Sequence, residues 1–393
     1  MAGKTLNVGL IGSGFMGQAH ADAWRRAGLL YRNLALQPVL HTLADVTPAL
    51  AEEAARRYGF QHSTADWQSM VNNPEIDIVD ITTPNSMHFD MALAAIRAGK
   101  HVYCEKPLTV SLQEAQTLTQ EAERAGVKTI MAFNNIKTPA AQLAKQMIDR
   151  GDIGTPTRFR GWFDQGFFND PELPWSWRCS REQAGSGSLG DLGSHVVSVA
   201  QYLMGPIKSV VGQEQLFIET RPAAGGGSGY GAQADKQAAR LKVENDDQFQ
   251  ALVTFESRAG GVIESSRISA GKVFGIAWEI SGTEGTIIMD GERFNELKIA
   301  RYGDAKHDRG FKTIYAGSQV EQFGGFFGFD FAGGGLGYFD VKVIEIYDLI
   351  KGLSSEASCF PDFRFGLENQ QIIEAMVRSS ASGERVEIAS LRN

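Results

Sequence analysis

Cysteine is scarce in this chain: Cys104, Cys179 and Cys359 are the three among 393 residues. They are odd in number and far apart, so they form neither a disulfide framework nor a zinc spacing, and they suit a reducing compartment. Positive charge is also in short supply. Lys and Arg total 38 against 46 Asp and Glu, a net charge of -8, whereas a protein that grips a phosphate backbone concentrates cations on one face. Nucleic acid is therefore not an expected partner. Long apolar runs are missing too, with none near the ~18 residues a membrane span requires. The first seven residues lead straight into a strand-like segment, which leaves no room for the charged and apolar regions of a signal peptide. These shortages together predict a soluble, cytoplasmic protein with no membrane partner and no metal site.

What the chain does have is apolar residues in a regular alternation. With 43% of residues hydrophobic, it can bury two cores, and two domains are expected at this length. Short apolar runs at 7–11, 39–43, 76–81, 101–104 and 129–133 alternate with helically spaced stretches at 19–27, 48–58, 87–98 and 112–125. Such alternation predicts βαβ units around a parallel sheet. Gly28, Gly59, Gly99 and Gly126 stand where glycines commonly stop helices. Beyond 133 the pattern changes to one helical stretch at 140–150 and then to longer strand-like runs at 248–255, 261–269 and 277–281. The predicted class is α/β, with an N-terminal doubly wound Rossmann domain over 1–133. A C-terminal α+β domain for substrate binding and oligomerisation, with a large, mostly antiparallel open sheet, is expected over 134–393. Two segments are rich in glycine. The stretch 223–231 reads as a linker, whereas Phe326, Phe327, Phe329 and Phe331 make 323–338 too aromatic for one and predict a loop over a pocket or core filling. Helical patterns at 338–351 and 366–380 close the chain.

Gly12-Ser13-Gly14-Phe15-Met16-Gly17 is G-x-G-x-x-G placed directly after the first predicted strand and before the first helix. In that setting one glycine turns the chain, the next lets backbone approach a pyrophosphate, and the last allows close helix packing. The helix N-terminus then favours the negative charge. Dinucleotide binding through Gly12, Gly14, Phe15, Met16 and Gly17 follows. Asp45 ends the second strand, where a carboxylate accepts from ribose hydroxyls and repels a 2′-phosphate, so NAD is expected over NADP. Its distance from Gly17 exceeds the usual ~20 residues, and the stretch 29–38 supplies the excess. At the end of a later strand, Thr83, Asn85 and His88 stand where an open α/β sheet presents ligand-contacting groups. For His88 the alternative is an ordinary helix-start residue.

Two further motifs complete the pattern. Glu105-Lys106-Pro107 follows the strand at 101–104, and Gly185-Ser186-Gly187-Ser188-Leu189-Gly190-Asp191-Leu192-Gly193-Ser194-His195 lies in the second domain. With the glycine fingerprint, in this order and over essentially the whole chain, they resemble the glucose-fructose oxidoreductase / inositol dehydrogenase (Gfo/Idh/MocA) family. Within it, Arg160-Gly161, Ser176-Trp177-Arg178 and Ala184-Gly185-Ser186-Gly187 are most similar to the levoglucosan, inositol and L-glucose dehydrogenases. The resemblance implies hydride transfer between NAD and a secondary alcohol of a sugar, anhydrosugar or cyclic polyol. It carries the family's roles onto Lys106, Asp191 and His195, with His195 as acid/base and Lys106 holding the reacting oxygen. Its members usually pair as dimers of dimers through the open sheet, which implies a homotetramer. Asn135-Ile136-Lys137 departs from the arginines those relatives often carry after Phe133-Asn134, and this leaves the sugar itself open.

The residues make chemical sense of these roles. Alcohol oxidation needs a proton acceptor and a fixed cofactor face, and an imidazole titrating near ~6.5 can accept or return a proton near neutrality. Asp191 stands four residues before His195, so on a helix the two share a face. There the carboxylate can orient the ring, raise its basicity or touch a substrate hydroxyl, and the alternative is a helix cap beside a core histidine. Pro107 restricts the backbone of Lys106 to extended geometry, with a cis bond as one hypothesis. An ammonium near the alcohol oxygen favours alkoxide-like charge. Glu105 is expected either to place the nicotinamide ribose or to neutralise Lys106. Sugar rings call for aromatic faces and for groups that both donate and accept, which nominates Gln165, Trp177, Arg178 and Asn134 alongside Lys106, Asp191 and His195, while Trp175 and Phe168 are equally suited to the core. Two other readings remain: a sugar-modifying enzyme that keeps NAD bound for transient oxidation, and a non-catalytic NAD-binding sensor.

Overall fold

The computed structural model describes residues 4–31, 33–226, 233–234, 239–320, 323–324, 326, 335–355 and 359–391. The chain divides into two compact units. The first begins with strand β1 (Lys4–Ile11), helix α1 (Phe15–Leu30), β2 (Leu36–Ala44), α2 (Pro48–Tyr58), β3 (His62–Thr64), α3 (Trp67–Asn72) and β4 (Ile78–Ile81). It continues with α4 (His88–Arg97), β5 (His101–Cys104), α5 (Leu112–Ala125) and β6 (Thr129–Met131). The six strands lie in the order β3-β2-β1-β4-β5-β6 with every pairing parallel. That is the doubly wound dinucleotide-binding order, whose ligand crevice opens where the strand order reverses, beyond the ends of β1 and β4.

Local chemistry explains the helix ends. Thr47 accepts from Leu50 N–H ahead of Pro48 at the start of α2, and Ser111 with Glu114 makes a capping box on α5. Gly59 and Gly126 close those helices in the left-handed region, and Gly99 takes a positive φ just beyond α4. Gly28 is a correction. Helix α1 runs through it to Leu30, because Leu30 still packs on the core and Tyr31, stacked on Tyr347 with ring centroids 4.0 Å apart, forms the cap.

The second unit contains α6 (Pro139–Asp149), β7 (Pro156–Asp164), α7 (Arg181–Ala184) and α8 (Ser194–Met204). Strands follow: β8 (Ile207–Gln215), β9 (Thr220–Pro222), β10 (Ala224–Gly226), β11 (Gln233–Ala234), β12 (Arg240–Lys242), β13 (Gln248–Phe255) and β14 (Gly260–Ser266). The last of the run are β15 (Gly275–Gly282), β16 (Gly285–Asp290), β17 (Glu296–Arg301) and β18 (Lys312–Tyr315). Nine strands form one sheet in the order β18-β17-β16-β15-β7-β14-β13-β8-β19, with β19 at Val386–Glu387, and only β14 with β7 is parallel. Along β13, Phe249, Ala251, Val253 and Phe255 turn inward while Gln250 and Leu252 face out, the period-two pattern of a sheet with one buried face.

The domain boundary needs correcting at its C-terminal side. Residues 134–393 were expected to form one domain, but Leu336–Gln370 belongs to the first unit. Helix α9 (Tyr338–Leu353) buries Val341, Val343, Ile344, Ile346, Leu349 and Ile350. Covering six such side chains is worth roughly 10 kcal/mol gross, and α9 obtains it by packing on α1. Helix α10 (Phe363–Ser382) follows. In the glycine-aromatic stretch, Phe323 is buried and Phe326 packs edge-on against Tyr31, so these two fill core. Phe327, Phe329 and Phe331 lie outside the described residues, as does most of 223–231. Among the described residues no helix is long and apolar enough to cross a membrane.

Candidate active site

The glycine loop has the shape a pyrophosphate needs. Gly12 follows β1 at φ +97°, donates to the Ala44 carbonyl at 2.9 Å, and has its own carbonyl held by the Thr82 hydroxyl at 3.0 Å. A Cβ on Gly17 would lie 2.1 Å from that carbonyl, whereas one on Gly14 would meet nothing within 4 Å. The loop is therefore packed on its inner side and open on its outer side, where the N-terminus of α1 begins. These features fit a dinucleotide phosphate. Phe15 is half exposed and makes an edge contact with Phe339 at 5.8 Å.

Asp45 stands just after β2, and its carboxylate accepts from the backbone N–H of Ser13 at 2.9 Å and from the Ser13 hydroxyl. Tyr58 adds a third tie by donating to the Ser13 carbonyl at 2.8 Å. The residue expected to read the ribose thus also braces the loop expected to read the phosphates.

Thr82, Thr83, Pro84 and Asn85 follow β4 and are half-buried. His88 begins α4 and is fully buried, with Nδ1 2.8 Å from the Pro107 carbonyl and Nε2 3.0 Å from the Thr83 carbonyl. Burial lowers its pKa despite those two carbonyls. His88, expected either at the cofactor or as a helix-start residue, thus begins α4 with its ring enclosed between the turn after β4 and the turn after β5.

Lys106 is half-buried, and the Lys106–Pro107 bond is cis. Its neighbour Glu105 does not face outward. The carboxylate is 6% exposed, accepts from Lys342 Nζ at 2.8 Å and lies 3.0 Å from His20 Nε2, while its other oxygen accepts the Lys106 backbone N–H at 3.1 Å. Burial alone would raise this carboxyl, but the Lys342 ammonium and the hydrogen-bonded His20 ring outweigh it and hold the group well below its ordinary range. The expected charge interaction with Lys106 is present as a smaller effect beside these two cations, and the carboxylate is turned inward. Asn134 is 2% exposed and hydrogen-bonds Tyr338.

The second unit gathers the remaining candidates. Asp191 and His195 were placed on one regular helix. Instead Leu189–Gly193 forms a π turn that leads into α8, with Ser194 N–H reaching back to the Leu189 carbonyl. Such wide turns occur mostly as single turns, frequently at functional sites. Arg178 lies over the Trp177 ring at 4.4 Å and brings its Nε within 3.6 Å of the Asp191 carboxylate. His195 is 5% exposed and meets the Phe163 ring edge-on at 5.9 Å. Gln165 extends the β7–β14 pairing through its backbone, donating to the Ser266 carbonyl at 2.8 Å. Phe168 and Trp175 pack around Cys179 and Val243, as core residues would.

The run Asn245-Asp246-Asp247, which sequence reasoning passed over, holds this half together. Asp246 accepts from Gly187 N–H at 2.7 Å, the Ser188 hydroxyl at 2.6 Å and Leu189 N–H at 2.9 Å. Asn245 donates to the Arg178 and Ser180 carbonyls, both at 3.0 Å, and Asp247 pairs with Arg267 at 3.1 Å. In the first unit His20, Asp80, Lys342 and Glu345 were likewise missed. A readable signal was present at Asp80: an acidic residue inside I-V-D-I, a strand buried on both faces, needs partners.

Comparison with known proteins follows the same division of the chain. A family model described as the oxidoreductase family, NAD-binding Rossmann fold matches residues 6–133, and a GFO/IDH/MocA C-terminal domain matches residues 141–288. The chain is 37% identical over 389 residues to the levoglucosan dehydrogenase of Pseudarthrobacter phenanthrenivorans, covering 99% of each. It is 31% identical over 264 residues to a scyllo-inositol 2-dehydrogenase (NAD(+)) of Bacillus subtilis, covering 65% of this chain and 68% of that one. Among solved structures, an NAD binding oxidoreductase from Klebsiella pneumoniae is 58% identical with TM-score 0.92, covering 98% of this chain and 99% of that one. A levoglucosan dehydrogenase in complex with NADH and levoglucosan is 37% identical with TM-score 0.92, covering 98% and 100%.

Proposed function

The chain belongs to the GFO/IDH/MocA oxidoreductase family, and on that premise we propose that it is an NAD-dependent dehydrogenase oxidising a secondary alcohol of a sugar, anhydrosugar or cyclic polyol. The observation that carries this reading is the likeness, over 98% of this chain, to a levoglucosan dehydrogenase solved with NADH and its sugar.

Bound NAD supplies a hydride acceptor on its nicotinamide ring, and everything else falls to side chains. Gly12, Gly14, Phe15, Met16 and Gly17 hold the phosphates at the start of α1. Asp45 takes the ribose hydroxyls and disfavours a 2′-phosphate, which makes NAD the preferred cofactor. Thr83 and Asn85 line the crevice beside them. Lys106 places its ammonium against the alcohol oxygen and favours the charge that develops there. His195 takes the hydroxyl proton in oxidation and returns it in reduction. Asp191, which carries Arg178 on one carboxylate oxygen, accepts from a neighbouring substrate hydroxyl. Trp177 offers a face to the ring, and Gln165, Arg178 and Asn134 bind the remaining hydroxyls. Cys104, Cys179 and Cys359 are all buried, and their small, odd and scattered number supports a cytoplasmic setting. The assembly is a homotetramer.

The experiment is a panel of levoglucosan, inositols, glucose and other sugars with NAD, followed by NADH absorbance at alkaline pH. Turnover with at least one anhydrosugar or cyclic polyol is expected, and Lys106→Met should reduce kcat on the order of a hundredfold or more while NADH still binds. A wild-type protein inert toward the whole panel defeats the proposal.

A further inference from the structure

The first unit buries more charge than a parallel sheet requires. His20 on α1, Asp80 in β4, Glu105 after β5, and Lys342 and Glu345 on α9 are all at most 6% exposed. His20 Nδ1 lies 2.8 Å from Asp80 and Nε2 lies 3.0 Å from Glu105. Only an imidazolium can donate from both nitrogens to two carboxylates, and Asp80 indeed raises this pKa against the opposing effect of burial. Tyr103 stacks beneath the ring at 4.5 Å, and the Trp24 indole donates to the second Asp80 oxygen at 2.8 Å. Lys342 reaches Glu105 at 2.8 Å and Glu345 at 3.1 Å, and the Tyr103 hydroxyl donates to Glu345 at 2.8 Å.

Desolvating so many charges costs several kcal/mol per ion, and an apolar cluster of similar volume would commonly be as stable. Stability alone therefore does not account for the cluster. What it does achieve is a connection between three segments: α1 carries the glycine loop, β4 leads to Thr82 and Thr83, and β5 leads to Lys106. The Glu105 carboxylate is the junction, with one oxygen facing the two cations and the other holding the Lys106 backbone N–H.

We propose that His20 and Lys342 are positioning residues, a pair of buried cations that fix the Glu105 carboxylate and, through it, the backbone of Lys106 relative to the glycine-loop helix. The effect on turnover rests on the dehydrogenase reading above. The effect on the Lys106 backbone does not. Lys342 comes from a helix 237 residues beyond Glu105, so the C-terminal part of the chain serves the N-terminal motif directly.

The test compares full-length wild type with Lys342→Met and with Lys342→Met/Glu345→Gln, in which the second carboxylate of the pair is neutralised so that the core can still close. Hydrogen exchange at the peptide containing Lys106 should speed up about tenfold, the equivalent of one lost hydrogen bond. Exchange in the strands of the other unit should stay as in wild type. In the same samples kcat should fall roughly a hundredfold, as for a displaced catalytic group, while KM for NAD moves far less. Variants that melt lower yet keep wild-type exchange at Lys106 and wild-type kcat overturn the proposal and reduce the cluster to packing. If wild type turns over no sugar, the dehydrogenase reading fails, and the exchange measurement still decides the clamp.

Discussion

His88 shows what a single enclosed side chain can contribute to the fold. Its ring lies between the Thr83 and Pro107 carbonyls, fully buried, so protonation is opposed by burial and the folded pKa falls below 6.5. Between 6.5 and the lower folded value the unfolded chain binds a proton that the folded chain does not, so stability falls as pH drops through that window. A Gln in its place keeps an amide donor and has no such titration. Wild type should therefore exceed His88→Gln in melting temperature at about pH 8, and the gap should narrow at about pH 5. A gap that stays constant contradicts the burial account. Residues of this kind explain the limit of reading the chain unaided. Gly12, Gly17, Lys106 and the Asp191/His195 pair are legible because residue type and short spacing carry the message. His20 meets Asp80 and Glu105 at separations of 60 and 85 residues, and Glu105 meets Lys342 at 237. Nothing local announces such pairings, and so the contacts of Glu105 with His20 and Lys342 were not expected.

At the level of elements, the parallel sheet was the most legible part, since alternating apolar strands and helices with glycine stops leave few alternatives. The short β3 and α3 escaped because three- and six-residue elements carry too little periodicity. Helix α9 was legible as a helix, but its allegiance was not, because an apolar face does not say which core it covers. The turn before α8 is the most consequential miss. Its π geometry depends on Asp246, which ties Gly187, Ser188 and Leu189 from 57 to 59 residues away. Asp246→Ala would leave three buried donors without their acceptor. At ~1–3 kcal/mol for each unsatisfied group, partly relieved by relaxation, the expected loss is about 3 kcal/mol. Turnover should fall as well, because the turn carries Asp191 and opens the helix of His195. Denaturant unfolding alongside kcat checks both, and a variant that loses stability with kcat intact shows that the turn keeps its shape without this anchor.

The nine-stranded sheet raises the question of assembly at the scale of the whole molecule. Inward residues of β13 and β7 are fully covered, but the other face presents Leu252 at 59% exposure together with half-buried Trp162 and the oppositely charged Arg160 and Glu264. An antiparallel sheet tolerates water on one face, so exposure alone does not demand a partner. Yet an open aliphatic beside an aromatic and flanked by opposite charges is the composition of an interface with an apolar centre and a polar rim. A symmetric contact between two copies would place each such patch against its twin, and a second such contact would make the dimer of dimers proposed above. Light scattering should then give a mass near that of four 42.8 kDa chains. Leu252→Glu places like charges opposite one another across a two-fold contact and should lower the assembly state, with little effect on the melting of the isolated chain because the side chain is exposed there. A monomeric wild type, or a Leu252→Glu variant that remains fully assembled, would place the subunit contact elsewhere or remove it.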